Sequence, residues 1–179
     1  MASSINASTS AGLVSTADLS GVLQLQSNGT TIATISSTGL QTNVGAPAFS
    51  AYQSLAQTLS SATYTKLQFQ TKEFDTNSNF DAVTNYRFTP TVAGYYQVNG
   101  QFSVGSSATS MSPAIYKNGS IYKSGNNSTS NQNTATVSCI VYLNGSTDYI
   151  EFYGYLASGQ ALNATASATY FQAAMIRSA

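Results

Sequence analysis

The stretch from Phe69 to Val104, FQTKEFDTNSNFDAVTNYRFTPTVAGYYQVNGQFSV, limits what this chain can fold into more than any other. Its landmarks fall at set offsets: Phe69, then Asp75 six residues on, Phe80 five on, Phe88 eight on, Gly94 six on, then Tyr96 and Val98. Past Gly94, Tyr96, Val98 and Phe102 alternate with polar neighbours, which is the period of a half-buried strand and not of a helix. Pro90 and Gly94 bracket a turn ahead of that strand, because proline fixes φ and glycine accepts positive φ without a Cβ clash. The chain beyond keeps the same habit. Ala114 to Lys117 turns at Asn118-Gly119 into Ile121 to Lys123, and Thr136 to Leu143 turns at Asn144-Gly145-Ser146 into Asp148 to Tyr155. A last strand carries Tyr170, Phe171, Met175 and Ile176, while GSSATSMSP and SGNNSTSNQNTAT read as polar loops. Short strands with turn signals between them predict an all-β sandwich.

The landmark spacing resembles the signature of the complement C1q-like globular domain, a relative of the tumour-necrosis-factor (TNF) jelly roll. Phe69, Asp75, Phe80, Phe88, Gly94 and Tyr96 land in the places of that pattern. There are departures: one extra residue separates Phe80 from Phe88, Val98 stands where phenylalanine is usual, and Gly100 fills a usually aromatic slot. The likeness runs from Ala48 to Ala179, with an opening strand over Phe49 to Gln53 and an extended loop to Ala62. It implies a C1q/TNF-like jelly-roll sandwich over residues 47–179 that forms a homotrimer, aromatic faces packed about an axis. Tyr95, Tyr96, Phe102 and Phe171 are the candidates for that trimer interface.

Residues 1–46 are expected to form an N-terminal extended arm and β-hairpin. From Met1 to Asp18 the chain is rich in Ser, Thr and Ala, too poor in large apolar side chains to fold by itself. Leu23 and Leu25 alternate with glutamines, Asn28-Gly29 is a hairpin signal, and Ile32 to Ile35 returns as the second strand. Gln41 to Pro47, small and turn-forming, reads as the boundary. An isolated hairpin is marginal in water, so this one is expected to pack on copies of itself or on another protein. Its wording resembles segments of bacteriophage tail-fibre and other virion proteins. That resemblance implies attachment to other virion proteins through the arm.

Composition narrows the chemistry. Charged residues make up 7% of the chain, six positive against six negative. No basic face is available for nucleic acid, and no apolar run approaches a membrane span. The absence of histidine and the single cysteine remove the usual zinc sites, the Ser-His-Asp and Cys-His arrangements and any intrachain disulfide. Cys139 shares a strand face with Val137, Val141 and Leu143 and reads as a small buried hydrophobe. Two carboxylate pairs remain, Asp75 with Asp81 and Asp148 with Glu151. The first pair sits at turns, where aspartate bonds its own backbone, and Glu151, on the face opposite Ile150 and Phe152, is expected in solvent. No catalytic residue, metal ligand or cofactor site is expected; a cation shared on a three-fold axis stays open. The MASSINASTS start has neither the charge nor the apolar run of a signal peptide, which points to synthesis in a host cytoplasm.

The expectation is therefore a non-enzymatic virion protein, a trimeric fibre or spike-type component whose jelly-roll head contacts a host-surface glycan or protein. Tyr122, Lys123, Asn126 and Asn127 are the receptor-contact candidates, beside the Asn-rich loop. The alternative is a capsid decoration protein. A free C1q-like lectin is a weaker rival, since it would carry a secretion signal and a stalk.

Overall fold

The computed structural model describes residues 20–43, 45–127 and 132–179, and no helix occurs among them. The chain divides into two compact units, Met1–Gly45 and Ala46–Ala179. In the first, β1 (Leu23–Ser27), β2 (Thr30–Ile35) and β3 (Gln41–Asn43) form an antiparallel sheet in that order. Asn28 and Gly29 both take positive φ (49° and 75°), as the two-residue primed turns of hairpins require. β3 corrects the reading of Gln41 onward as a plain boundary. Ser36 Oγ accepts a hydrogen bond from the Leu40 amide at 3.0 Å and Gly39 sits at φ 81°, so the chain reverses again and pairs with β2.

The second unit is a two-layer sandwich. Its strands are β4 (Ala48–Tyr52), β5 (Thr65–Lys66), β6 (Thr71–Asp75), β7 (Phe80–Asp81), β8 (Arg87–Phe88), β9 (Gly94–Ala108), β10 (Met111–Lys117), β11 (Ser120–Ser124), β12 (Gln132–Leu143), β13 (Ile150–Leu156) and β14 (Tyr170–Ser178). One sheet has the order β12-β9-β14-β4-β6; the other runs β11-β10-β13-β8-β7, with β5 also paired to β13. Neighbours in the first sheet are far apart in sequence, which is how a jelly roll differs from a meander.

The Phe69–Val104 landmarks are the core. Phe49 stacks on Phe80 and Phe88, each at 4.6 Å between ring centres, and meets Phe171 edge-on at 5.1 Å. Phe88 meets Tyr96 edge-on at 5.6 Å, and the buried Tyr96 hydroxyl donates to the Val92 carbonyl at 2.6 Å, pinning the turn before β9. Asp75 holds the following loop: its carboxylate accepts from the Asn79 and Phe80 amides at 3.0 Å each and from Lys72 Nζ at 3.1 Å. Gly100, the departure from the aromatic slot, lies beneath the Phe152 ring. A Cβ there would stand 2.9 Å from Phe152 Cε1, so Phe152 supplies from across the sandwich the ring that β9 omits.

Two further expectations change. GSSATSMSP is not a loop: Ala108 and Met111 are buried, β9 and β10 both extend into it, and only Thr109 and Ser110 turn. Glu151 is not in solvent. It is 5% exposed and its Oε1 takes Lys66 Nζ at 3.0 Å, because β13 lies inside its sheet and Lys66 arrives on β5 to cover it.

Candidate functional site

The outward face of the β12-β9-β14-β4-β6 sheet is the feature built unlike an ordinary solvent face. Side chains alternate along β9: Tyr96, Val98 and Phe102 point inward and are buried, while Tyr95, Gln97, Asn99 and Gln101 point outward. The strand register lines these up in rows. Ser138, Asn99, Gln172, Ser50 and Phe74 lie across the five strands, Ile140 opposes Gln97 beside Ala174, and Tyr142 opposes Tyr95. Tyr95, Ile140 and Tyr142 are 43%, 50% and 41% exposed, with the two tyrosine rings 5.5 Å apart. They make an aromatic ridge at the β12 end of the face. Toward the other end, Phe74, Gln97, Asn99, Gln172 and Ala174 line a groove of about 200 Å³.

Some of the polar groups on this face bond one another. Gln97 Nε2 donates to Ser138 Oγ at 2.9 Å, and the Ser138 hydroxyl pairs with Asn99 Oδ1 at 2.8 Å. A face whose polar groups bond one another loses little when water leaves, whereas orphaned groups would oppose contact. Arg177 is the only charged residue on β4, β9, β12 and β14.

The interface candidates therefore separate. Tyr95 lies on this face; Tyr96, Phe102 and Phe171 do not, since all three are fully buried in the core and cannot reach a second chain. Sequence reasoning passed over Ile140, Tyr142, Gln172 and Phe74. For the first three the signal is the opposite parity on expected strands, where Gln, Asn and Ser look like solvent residues; Phe74 lies on β6, a strand the sequence reading lacks.

Of the receptor-contact candidates, Tyr122 and Lys123 lie on β11 and Asn126 and Asn127 follow it. Tyr122 is exposed, its hydroxyl donating to the Ile140 carbonyl at 3.3 Å, and Lys123 Nζ stands 5.4 Å from the Tyr122 ring centre. Asn126 is a structural tie: its amide donates to the Thr136 carbonyl at 3.2 Å and its Oδ1 accepts from the Thr136 amide at 2.8 Å. Asn127 is exposed, and residues 128–131 of the loop lie outside the described residues.

The remaining titratable groups are committed to structure. Asp81 accepts from the Val83, Thr84 and Asn85 amides, which hold its carboxyl well below the usual range. Asp148 is lowered as well, chiefly by Lys117, whose Nζ lies 2.8 Å away, and by Asn118 Nδ2 at 2.7 Å. Glu73 accepts from Ser50 Oγ at 2.7 Å. Burial pushes Tyr96 up to about 12, and burial, with the Glu151 charge next, does the same for Tyr153. It also raises the half-buried Cys139 thiol, leaving it a poor nucleophile. Among the described residues no group of three His, Cys, Asp or Glu could hold a metal ion, and no helix is long and apolar enough to cross a membrane.

This architecture is a C1q/TNF-like jelly roll. Murine APRIL superimposes with a TM-score of 0.59 at 11% identity, covering 73% of this chain and 99% of its own. The globular domain of zebrafish complement 1qA gives 0.56 at 17% identity, covering 75% of this chain and 99% of its own. Vertex protein P5 of phage PRD1 gives 0.59 at 12% identity, and here the match spans 98% of this chain and 91% of P5. No protein-family model matches the chain, and no curated protein matches it in sequence.

Proposed function

We propose that the chain is a non-enzymatic structural protein of a phage virion. It is a homotrimeric spike or fibre-type component with an outward jelly-roll head, held to other virion proteins through residues 1–46. The observation that carries this reading is the likeness to vertex protein P5, which extends over nearly the whole chain and not over the jelly roll alone. The sheet face supplies the reason to trimerise. Its aromatic ridge and its groove lie at different places on one face, so a ridge fits the groove of the next copy in a head-to-tail contact, which closes into a ring when the rotation allows. The C1q/TNF resemblance favours a three-fold ring. Tyr122, Lys123 and Asn127 are then free to touch a host-surface glycan or protein.

The native mass of the purified chain, read together with immunogold labelling of virions, tests this. Trimers and surface label are expected; a monomer at micromolar concentration, or label absent from particles, overturns it. Capsid decoration is the second reading, favoured by likeness to a protein of a vertex over a tail position. Copy number separates the two: hundreds per particle mean decoration, and a few or tens mean a spike or fibre.

A further inference from the structure

Four Asn-Gly pairs occur in the chain: Asn28-Gly29, Asn99-Gly100, Asn118-Gly119 and Asn144-Gly145. The dipeptide is chemically labile, because glycine carries no side chain to shield its backbone nitrogen from the asparagine amide beside it. How fast a given pair reacts depends on how firmly the fold holds it.

Three of the pairs are held. Asn144 Oδ1 accepts from the Ser146, Thr147 and Asp148 amides at 3.0, 3.0 and 2.9 Å, and its Nδ2 donates to Thr147 Oγ1 at 2.8 Å. Asn118 Nδ2 donates to Asp148 Oδ1 at 2.7 Å, and its Oδ1 accepts from the Tyr149 amide at 3.0 Å. Asn99 Oδ1 pairs with Ser138 Oγ at 2.8 Å, and Gly100 lies inside the sheet, between Val137 and Phe171. Asn28 differs. It is exposed in the β1-β2 turn, and no hydrogen bond to its side-chain amide occurs among the described residues. Its sheet is also the easier one to open, being three short strands with Ala33 the only buried hydrophobe among the described residues of that unit.

We propose that Asn28-Gly29 is the one pair the fold leaves open to self-modification, by loss of the Asn28 side-chain amide. As the turn opens, the Gly29 nitrogen attacks Asn28 Cγ. The N–Cγ bond forms, the Cγ–Nδ2 bond breaks, and Nδ2 leaves as ammonia with the Gly29 amide proton. Water then opens the cyclic imide. Opening at Cγ leaves an aspartate, the only charge between Asp18 and Lys66. Opening at the backbone carbonyl leaves an isoaspartate, whose main chain runs through Cβ and Cγ and so gains a methylene. Turn length sets hairpin register, so this second product disturbs the Ser27–Thr30 pairing that closes β1 on β2. The inference needs neither a trimer nor a partner on the sheet.

The test is incubation of the full folded chain in mildly alkaline buffer, then tryptic peptide mapping against an unincubated sample. Cleavage after Lys66, Arg87, Lys117, Lys123 and Arg177 puts the four pairs in four separate peptides. Fragmentation assigns the mass gain of about 1 Da, an amide become a carboxyl, to its residue. Asn28 is expected to convert at least about tenfold faster than Asn99, Asn118 or Asn144, because easily opened segments react ahead of protected ones. In guanidinium-unfolded chain the four should convert within about threefold of one another, since the fold no longer separates them. Equal rates at the four pairs of the folded chain, conversion at none of them, or the same preference for Asn28 after unfolding would overturn the proposal.

Discussion

Gly100→Ala is the smallest change that probes how this core is built. A methyl on Gly100 would stand 2.9, 3.0 and 3.1 Å from Cε1, Cδ1 and Cζ of Phe152. The ring cannot retreat, because Phe69, Phe171 and Phe102 hold it at 6.0, 5.8 and 6.3 Å between centres. Overpacking of this kind costs about 1–3 kcal/mol. The lower chain entropy of alanine in the unfolded state returns about 0.4–1 kcal/mol, so mid-range values leave a net loss of about 1.3 kcal/mol. Phe152→Leu removes the clash while emptying part of the slot, so the double variant should be more stable than the sum of the singles predicts, by about 0.5–3 kcal/mol. Urea unfolding reads these differences from the midpoint at unchanged slope. All variants are compared at one chain concentration, because association makes stability depend on it. A Gly100→Ala protein as stable as wild type, or singles that simply add, would refute the claim that Phe152 occupies the slot β9 leaves open.

Further outcomes are expected. Tyr142→Glu places a carboxylate on the aromatic ridge and should convert the proposed trimer to monomer by light scattering without changing the far-ultraviolet circular dichroism, and a retained trimer would clear the ridge of any part in assembly. Lys66→Met leaves the Glu151 carboxylate buried without its partner and should lose about 1–3 kcal/mol, whereas Lys66→Met with Glu151→Leu should recover much of it; equal losses would show that the pair contributes little. The lowered carboxyls of Asp148 and Asp81 stabilise the fold above the ordinary aspartate range, near pH 4, and that stability is lost as pH falls toward their folded values. Asp148→Asn should flatten this acid limb of a stability–pH profile. At the other extreme the unfolded phenols ionise near pH 10, while Tyr96 and Tyr153 in the fold resist to about 12. Stability should therefore fall between those values, and Tyr96→Phe should shrink the drop.

Alternation was legible in the sequence, and with it the inner wall: Tyr96, Val98 and Phe102 share one parity on β9, and all are buried. Its converse was equally available but went unread, since an aromatic residue suits a core and an interface alike. Phe102 and Phe171 belong to the core, and Tyr142, on the outward parity of β12, belongs to the face. The covering of Glu151 could not be read, because Lys66 lies 85 residues away in sequence and only the pairing of β5 with β13 brings it there. β3 was hidden for a local reason, its direction depending on a hydrogen bond from the Leu40 amide to Ser36 Oγ that no apolar pattern records. In GSSATSMSP most strand residues are small, so they carry no periodic signal, and the crossing there from β9 in one sheet to β10 in the other leaves no mark in the sequence.

The scarcity of charge on the β12-β9-β14-β4-β6 face bears on where such a protein can serve. Dissolved ions weaken charge-based contacts by screening them, and a face with Arg177 alone on four of its strands, and Glu73 tied to Ser50 on the fifth, gives screening little to act on. Whatever seats there should lose little to charge screening in brine. Cold is the stress it is exposed to instead, because association through aromatic and aliphatic surface weakens on chilling.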